Sequence, residues 1–379
     1  MNTPALKTLV PDASQLLCAI VDGPREPVQA PIRSEVFGAL RFAQHGRSLG
    51  ATHRATRSNV AGSNFFPRIK DNLAAVREAH HYIGISAKTG YDISPAAEWL
   101  LDNFQLIEIQ FNEIHAGLAR RYFSSLPKLI DEPLAGLPRI YGVAWAFVAH
   151  TDGAFDEPMV INFLSAYQEE RELNLSEMWA LPTTLRVVLI ENIRRLSERI
   201  ANHKAAREIA NLCFDRQESY TPETLDSLLE KLRERGVHEA FLVQMVSRLQ
   251  DLGIGSPSPE KVEFETWLHN ALPDPAAMQL QQGANQAADN LSMRNSISSL
   301  RTIGDANWPD IIAQISSLMR LMLGSPVFES EAMVTRDQTL HAVEWLAKRS
   351  DRSEVAVAQV LLDLMNASHS SDPSKASAA

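Results

Sequence analysis

The chain has 379 residues, 45% of them hydrophobic, which is enough for about two to three domains with a sizeable core. Its formal net charge is −10, and this acidity argues against nucleic acid as a partner, because such binding depends on basic side chains that neutralise phosphates. The sequence holds no apolar run of ~18 residues and only two cysteines, so it predicts a cytoplasmic protein without a membrane span, a disulfide framework or a zinc site.

The two ends of the chain differ in composition from the rest. Residues 1–34 contain five prolines and little hydrophobic periodicity, which predicts a mobile N-terminal arm. Residues 367–379 are polar and of low complexity, which predicts a disordered tail. We therefore expect flexible termini on either side of the folded part.

Between these ends, helix starts are marked by a capping residue followed by proline. A hydroxyl or carboxylate at the N-cap accepts an orphan backbone N–H, and proline at the first helical position has no N–H to leave unpaired. The signal occurs in complete or variant form at Ser94-Pro95, Asp156-Glu157-Pro158, Thr221-Pro222, Ser258-Pro259 and Asn307-Trp308-Pro309.

The spacing of apolar residues predicts two long helices. Over residues 94–118, apolar side chains recur every three or four positions and form one stripe. A second stripe runs through residues 176–213, where Glu191 and Arg195 are spaced to pair at i,i+4. Pro182 lies inside this segment and is expected to kink the helix or to end a shorter one before it.

Strand signals are weak, because hydrophobic and polar residues do not alternate over any sustained stretch. The dipeptide Asp152-Gly153 lies between two helical patterns and predicts a helix–helix turn. The sequence therefore predicts an all-α protein, a multi-helix bundle or array. We expect two lobes, 35–210 and 211–366, with the Gly- and Pro-rich residues 253–259 as a second candidate boundary.

Motifs that carry catalysis are missing from the sequence. It contains no P-loop, no Rossmann glycine motif, no zinc-protease motif and no nucleophile elbow. No two aspartates are two residues apart, so the D-x-D pair with which sugar-nucleotide transferases hold a divalent ion is absent, as is the Arg-Trp dipeptide of an acceptor-side signature. We therefore predict no catalytic, cofactor-binding or metal-binding residues and no cofactor.

One polar cluster remains as a candidate site. His150, Asp152, Asp156 and Glu157 place a base and three carboxylates close together in the sequence. We interpret the group as a capped turn, in which Asp152 and Asp156 accept backbone N–H groups. The alternative is a metal or acid–base site, as in a helical hydrolase or lyase.

Two further groups of polar or aromatic residues have alternative interpretations. The six tryptophans are interpreted as anchors in the core or between helices, because most lie on or near apolar stripes, with stacking on sugar rings as the alternative. Asp289, Asn290 and Arg294 are interpreted as interhelical hydrogen-bonding partners, with a polar groove as the alternative.

Several strings of residues recur in a known order and spacing. The longest are AAEWLLDNFQLIE at 96–108, ALPTTLRVVLIENIRRL at 180–196 and QAADNLSMRNSISSLR at 286–301. The others are LPKL at 126–129, PLAGLPRIYGVA at 133–144, AHTDG at 149–153, AYQE at 166–169, TRD at 335–337 and WLAKRSDRSEVAVA at 345–358. Together they resemble the N-terminal region of cyclic β-1,2-glucan synthases, very large bacterial membrane enzymes, over roughly residues 35–366.

In that family the matching region is cytoplasmic and precedes membrane helices, a glycosyltransferase domain that uses UDP-glucose, and a phosphorylase-like part. The resemblance implies an accessory role in making cyclic glucan without the catalytic domains, so no catalytic residue of the family carries over. The implied partners are the catalytic and membrane part of a glucan synthase and glucan itself, with the chain held at the cytoplasmic face of the inner membrane through a partner. The chain is then a truncated gene product, a split subunit or a stand-alone protein.

The alternative function is a stand-alone helical protein-interaction scaffold, which the predicted helical array and the acidic composition also suit.

Overall fold

The computed structural model describes residues 4–23, 28–58, 65–88, 93–117, 119–131, 133–251, 259–272, 274–350 and 352–371. Helices make up most of this described part, so the prediction of an all-α protein is confirmed. The first nine helices are α1 (Leu6–Leu9), α2 (Gln15–Asp22), α3 (Ala39–Thr52), α4 (Phe65–Lys88), α5 (Pro95–Gly117), α6 (Arg120–Ser125), α7 (Arg139–His150), α8 (Glu157–Glu170) and α9 (Leu175–Asp215). The next nine are α10 (Pro222–Glu234), α11 (His238–Asp251), α12 (Pro259–Ala271), α13 (Pro275–Asp305), α14 (Trp308–Ile315), α15 (Ser317–Leu323), α16 (Pro326–Ser330), α17 (Met333–Ser350) and α18 (Glu354–Ser371).

Two short strands and one 3-10 helix complete the described elements. Strand β1 (Ala55–Thr56) pairs antiparallel with β2 (Lys128–Leu129), with Ala55 opposite Leu129. The 3-10 helix is Gln217–Ser219. A ribbon of two residues per strand has no face large enough to bury, so the core forms between helices.

The chain divides into two compact units, and each is built from three segments. The first unit comprises Met1–Ile32, Pro67–Phe111 and Ile190–Ile297, and the second comprises Arg33–Phe66, Asn112–Leu189 and Ser298–Ala379. This division differs from the contiguous lobes predicted at 35–210 and 211–366. Hydrophobic periodicity reports which face of a helix is buried, but not which distant helix covers that face, so it does not reveal a unit assembled from separated segments.

Residues 1–34, predicted as a mobile arm, contain helices α1 and α2. Leu6 and Leu17 are buried, and the carboxylate of Asp22 accepts the Leu6 N–H at 2.9 Å. Arg235 donates from Nε to the carbonyl of Val21 at 2.9 Å. These contacts lie within the first unit. Within this predicted arm, residues 1–3 and 24–27 lie outside the described residues. At the other end of the chain, α18 extends into the predicted tail as far as residue 371, and residues 372–379 lie outside the described residues.

Buried polar groups of the first unit are joined by hydrogen bonds. The carboxylate of Glu191 has no exposed surface and is bound by Arg68 and by Arg195, whose Nη2 lies 2.8 Å from Oε1. The predicted pair at i,i+4 is therefore confirmed. Asn192 donates from Nδ2 to the Ser296 hydroxyl at 3.1 Å. Because an unpaired buried charge or amide is costly, these partners help to set the register of helices α4, α9 and α13 within this unit.

The interpretation of Asp289 and Asn290 as interhelical hydrogen-bonding partners is confirmed. Asp289 accepts from Arg199 Nε at 2.8 Å, and Asn290 Oδ1 accepts the backbone N–H of Ala96 at 2.9 Å. Arg294, the third member of the predicted group, is exposed.

In the second unit, α3 and α8 approach each other closely. Phe42 of α3 stacks on Phe163 of α8 with ring centroids 4.5 Å apart. Gly46 and Gly50 follow at one-turn intervals, and a methyl group added at Gly46 would lie 2.6 Å from the carbonyl oxygen of Phe163. Since this is well inside van der Waals contact, the two backbones can pack at this distance only because the side chain is absent.

The predicted helix starts are observed where the structure describes them. Asp156 accepts the N–H of Met159 at 2.9 Å, and Thr221 accepts that of Thr224 at 3.4 Å. Ser258 lies outside the described residues. Helix α9 continues through Pro182, its eighth residue, so no shorter helix ends there.

Candidate functional site

The predicted polar cluster forms the turn between α7 and α8. His150 ends α7 and donates from Nδ1 to the Glu35 carbonyl at 2.8 Å, while Asp156 caps α8 and Glu157 occupies its first turn. Asp152 adopts a positive φ of 51° in the turn itself. The cap at Asp156 agrees with the capped-turn interpretation. Among the described residues, no group of three or more His, Cys, Asp or Glu side chains is arranged to hold a metal ion.

His150 belongs to an aromatic group rather than to an array of carboxylates. Its ring stacks on Phe37 with centroids 4.0 Å apart and meets His45 edge-on at 4.5 Å. Burial, together with the neighbouring imidazole of His150, lowers the pKa of His45. The ring contacts of His150 with Phe37 and His45 favour packing at this position over acid–base chemistry.

A different feature, a cleft inside the second unit, is the best candidate for a functional site. Its volume is about 720 Å³, which is within the range of small-molecule and cofactor sites. The start of α9, the tip of α6 and helices α14, α15 and α17 form its walls. Polar, aromatic and apolar side chains line it, among them Tyr122, Trp179, Ile312, Asp337, His341 and Glu344.

Helix α17 supplies a polar face to this cleft. Asp337, His341 and Glu344 are spaced four and three residues apart, so they lie on one side of the helix. His341 donates from Nδ1 to the Asp337 carbonyl at 2.8 Å, which leaves Nε2 as a hydrogen-bond acceptor. Glu344 is paired with Lys348, with 2.6 Å between Nζ and Oε1.

Helix α9 contributes an exposed tryptophan to the cleft. Trp179, in the second turn of α9, lines the cleft and keeps 45% of its surface exposed. The Tyr122 hydroxyl donates to the carbonyl of Ser176, which attaches α6 to the first turn of α9. Burial raises the pKa of Tyr122, and the nearby carboxylate of Glu344 acts in the same direction.

A buried charge network supports the start of α9 behind this wall. Glu177 has no exposed surface and accepts from Arg139 Nε at 2.9 Å and from the Asn174 N–H at 3.0 Å. Glu354 accepts the N–H of Leu175 at 2.8 Å, and burial raises the pKa of this carboxyl to about 7. These bonds fix the backbone that carries Trp179.

The Trp179 indole and the polar face of α17 carry hydrogen-bonding groups that do not bond to other described residues. Within the described chain, the Trp179 Nε1, the Asp337 carboxylate and the His341 Nε2 have no hydrogen-bond partner. An apolar ring beside a donor and two acceptors can bind a ligand that has both apolar faces and hydroxyl groups.

Sequence reasoning missed this cleft, although one signal was available. The apolar stripe of α9, followed back from Leu185, passes through Leu181 and Met178, both buried, and leaves Trp179 off the stripe. Trp267 and Trp308 are buried, as their interpretation as core anchors requires, whereas Trp179 and Trp345 are exposed.

Comparison with known proteins shows that the chain is similar to a bacterial glucan synthase. It is 28% identical over 354 residues to the cyclic beta-(1,2)-glucan synthase NdvB of Rhizobium meliloti (strain 1021), which covers 90% of this chain and 12% of that protein. The chain is similar to part of a cyclic β-1,2-glucan synthase. The predicted resemblance is thereby confirmed, and the chain spans about an eighth of the length of this relative.

The other comparisons are narrower. The chain is 30% identical over 99 residues to the serine/threonine-protein kinase ULK4 of Mus musculus, which covers 25% of this chain and 8% of the kinase. No family model matches the chain. Among the described residues, none of the helices combines the length and the apolarity needed to cross a bilayer.

The strings that resemble a glucan synthase are structural in this chain. The string at 96–108 lies in α5, where Leu100 and Ile107 are fully buried, and the string at 180–196 lies in α9, where Val188 and Ile193 are fully buried. Both strings therefore include core positions of the helical fold.

Proposed function

We propose that the chain is a helical accessory segment of a cyclic β-1,2-glucan synthase and that it contributes binding rather than sugar transfer. The observation that carries this proposal is the similarity to the synthase over 90% of the chain. The same residues contain neither a D-x-D pair nor an Arg-Trp dipeptide. Transfer from UDP-glucose is accordingly assigned to other parts of the synthase.

In this proposal the partners are the catalytic and membrane part of the synthase and the glucan that it makes. The chain works in the cytoplasm, at the cytoplasmic face of the inner membrane, and is held there by the membrane part. Its net charge of −10 supports a protein or a neutral sugar, rather than nucleic acid, as the partner.

Complementation tests the accessory role. A cyclic β-1,2-glucan synthase that lacks the region matching this chain is expressed in a membrane, with and without the tagged chain. The chain is expected to co-purify with the shortened synthase and to raise its glucan output. The absence of both co-purification and increased glucan output would refute the proposal.

A second experiment tests the assignment of transfer to other parts of the synthase. The purified chain alone is incubated with radiolabelled UDP-glucose and a divalent metal, and no label is expected in glucan. Incorporation by the chain alone would overturn the non-catalytic role and would direct attention to the carboxylates Asp152, Asp156 and Glu157. Alanine substitution at these three positions would then test the hydrolase or lyase alternative.

The competing function, a stand-alone interaction scaffold, is not favoured, because nearly the whole chain matches the synthase. A pull-down that recovers proteins but none of the synthase would support the scaffold instead.

A further inference from the structure

We infer that the cleft of the second unit binds a segment of glucan chain and that Trp179 is its stacking platform. The inference deepens the proposed function and takes the identity of the sugar from it. The cleft, its exposed indole and its unpaired polar groups are independent observations of this structure.

Trp179 offers an apolar surface to the cleft. An indole is among the largest apolar surfaces that a side chain offers, and one that lines a concave cleft can stack on the apolar face of a ligand there. Trp179 keeps 45% of its surface exposed while it lines a cleft of about 720 Å³. A pyranose ring presents a face of C–H groups, which can cover an indole without leaving a hydroxyl unpaired.

Helix α17 adds polar groups to the same cleft. Asp337 and His341 lie one turn apart on α17, a rise of roughly 5–6 Å along the helix axis. Both offer acceptors that are unused within the described chain, and Trp179 adds a donor, Nε1. Sugar hydroxyls donate and accept hydrogen bonds, so a saccharide that covers the indole can satisfy acceptors at successive positions along α17.

The charge of the cleft selects against other ligands. Three carboxylates line it, those of Asp310, Asp337 and Glu344, against one guanidinium, that of Arg336. Arg336 donates to the Glu329 carbonyl, so this cation is already engaged. A phosphate or an acidic peptide would meet net negative charge there, whereas a neutral polyhydroxylated chain would not.

The experiment uses the purified full chain and a linear β-1,2-linked glucooligosaccharide as the probe. Isothermal titration and intrinsic tryptophan fluorescence follow the binding. We expect saturable binding that weakens by about tenfold or more in Trp179→Ala. Asp337→Asn, an exposed substitution that preserves shape, is expected to weaken binding by a smaller factor.

The matched control is Trp345→Ala. Trp345 is 53% exposed in the same unit, does not line the cleft and is covered on one face by the Arg349 guanidinium, 4.0 Å from the ring centroid. Trp345→Ala is expected to leave the affinity for the oligosaccharide unchanged. Circular dichroism of each variant establishes that a loss of binding is not a loss of fold.

Three results would overturn the inference: no saturable binding by the wild-type chain, equal affinity in Trp179→Ala, or equal losses in Trp179→Ala and Trp345→Ala. The result also separates this inference from the proposed function. A chain that binds the oligosaccharide through Trp179 but neither associates with the shortened synthase nor raises its output would refute the accessory role alone. Association without oligosaccharide binding would refute the cleft assignment alone.

Discussion

The close approach of α3 to α8 predicts a large effect from one methyl group. Gly46 lies in the middle of α3 and is buried against α8. In Gly46→Ala the new Cβ would lie 2.6 Å from the Phe163 carbonyl oxygen, 3.3 Å from its ring and 3.3 Å from the Tyr167 nitrogen. Two of these three neighbours are backbone atoms, which cannot move aside by changing a rotamer. The helices must separate instead, and the contact between Phe42 and Phe163 weakens as they do.

Two opposing terms set the magnitude of this effect. Overpacking a close interface costs about 1–3 kcal/mol, and backbone clashes place this substitution at the upper end of that range. Alanine is favoured over glycine in a helix interior by about 1 kcal/mol, which offsets part of the loss. We therefore expect a net loss of about 2 kcal/mol, or a melting temperature lower by about 4–8 °C for a unit of this size.

The assay is thermal unfolding followed by circular dichroism, with Gly283→Ala as the matched control. Gly283 is exposed inside α13, and a Cβ added there would have no neighbour within 4 Å. The same substitution should therefore stabilise the protein at this position, by up to about 1 kcal/mol. If Gly46→Ala melts at or above the wild-type temperature while Gly283→Ala behaves as expected, the close packing of α3 on α8 is wrong.

Three further predictions concern buried or capping charges. Burial raises the pKa of Glu354 to about 7 from its ordinary value of 4.5, so the folded chain holds this proton more tightly than the unfolded chain. The stability that the bound proton contributes is therefore lost as the pH rises between those two values. The free energy of unfolding of Glu354→Gln, measured with urea, should therefore match that of the wild type below about pH 4.5 and exceed it above about pH 7, by at most about 3 kcal/mol. Parallel pH profiles of the two proteins would contradict this prediction. Arg139→Met leaves the Glu177 carboxylate buried without its cation and should lower the free energy of unfolding by about 3–5 kcal/mol. In a double-mutant cycle, adding Glu177→Leu should restore much of this loss. A double variant no more stable than Arg139→Met would count against the pair. Asp156→Ala removes the cap of α8 and should cost about 1 kcal/mol by chemical denaturation, whereas Asp156→Asn should be nearly neutral, and equal losses in the two would argue against capping.

The candidate site illustrates the limits of reading local patterns. The sequence cluster from His150 to Glu157 consists of neighbours along the chain, and the structure uses Asp156 as a helix cap and His150 as a packed ring. The cleft instead combines Tyr122, Trp179 and the polar face of α17, which are far apart in sequence. A spacing rule relates residues on one helix, so it could indicate that face of α17, but it could not place that face in the same cleft as an exposed indole.

What the sequence determined by itself is the helical class of the fold, several helix starts and part of the local chemistry of the helices. Caps at Asp156 and Thr221 and the pair of Glu191 with Arg195 depend on residues within one turn of each other, and such interactions form wherever the helix forms. The resemblance to a glucan synthase was also legible, because strings of core residues keep their order and spacing.

Only the tertiary structure decided which helices pack together. It assembled each unit from three separated segments, brought α1 and α2 into the first unit, and left Trp179 exposed in a cleft. The physical reason is that an apolar stripe has nearly the same free energy of burial against any complementary partner. The choice among partners depends on details that act only at contact, such as the absence of a side chain at Gly46 and the partners of the buried Glu177.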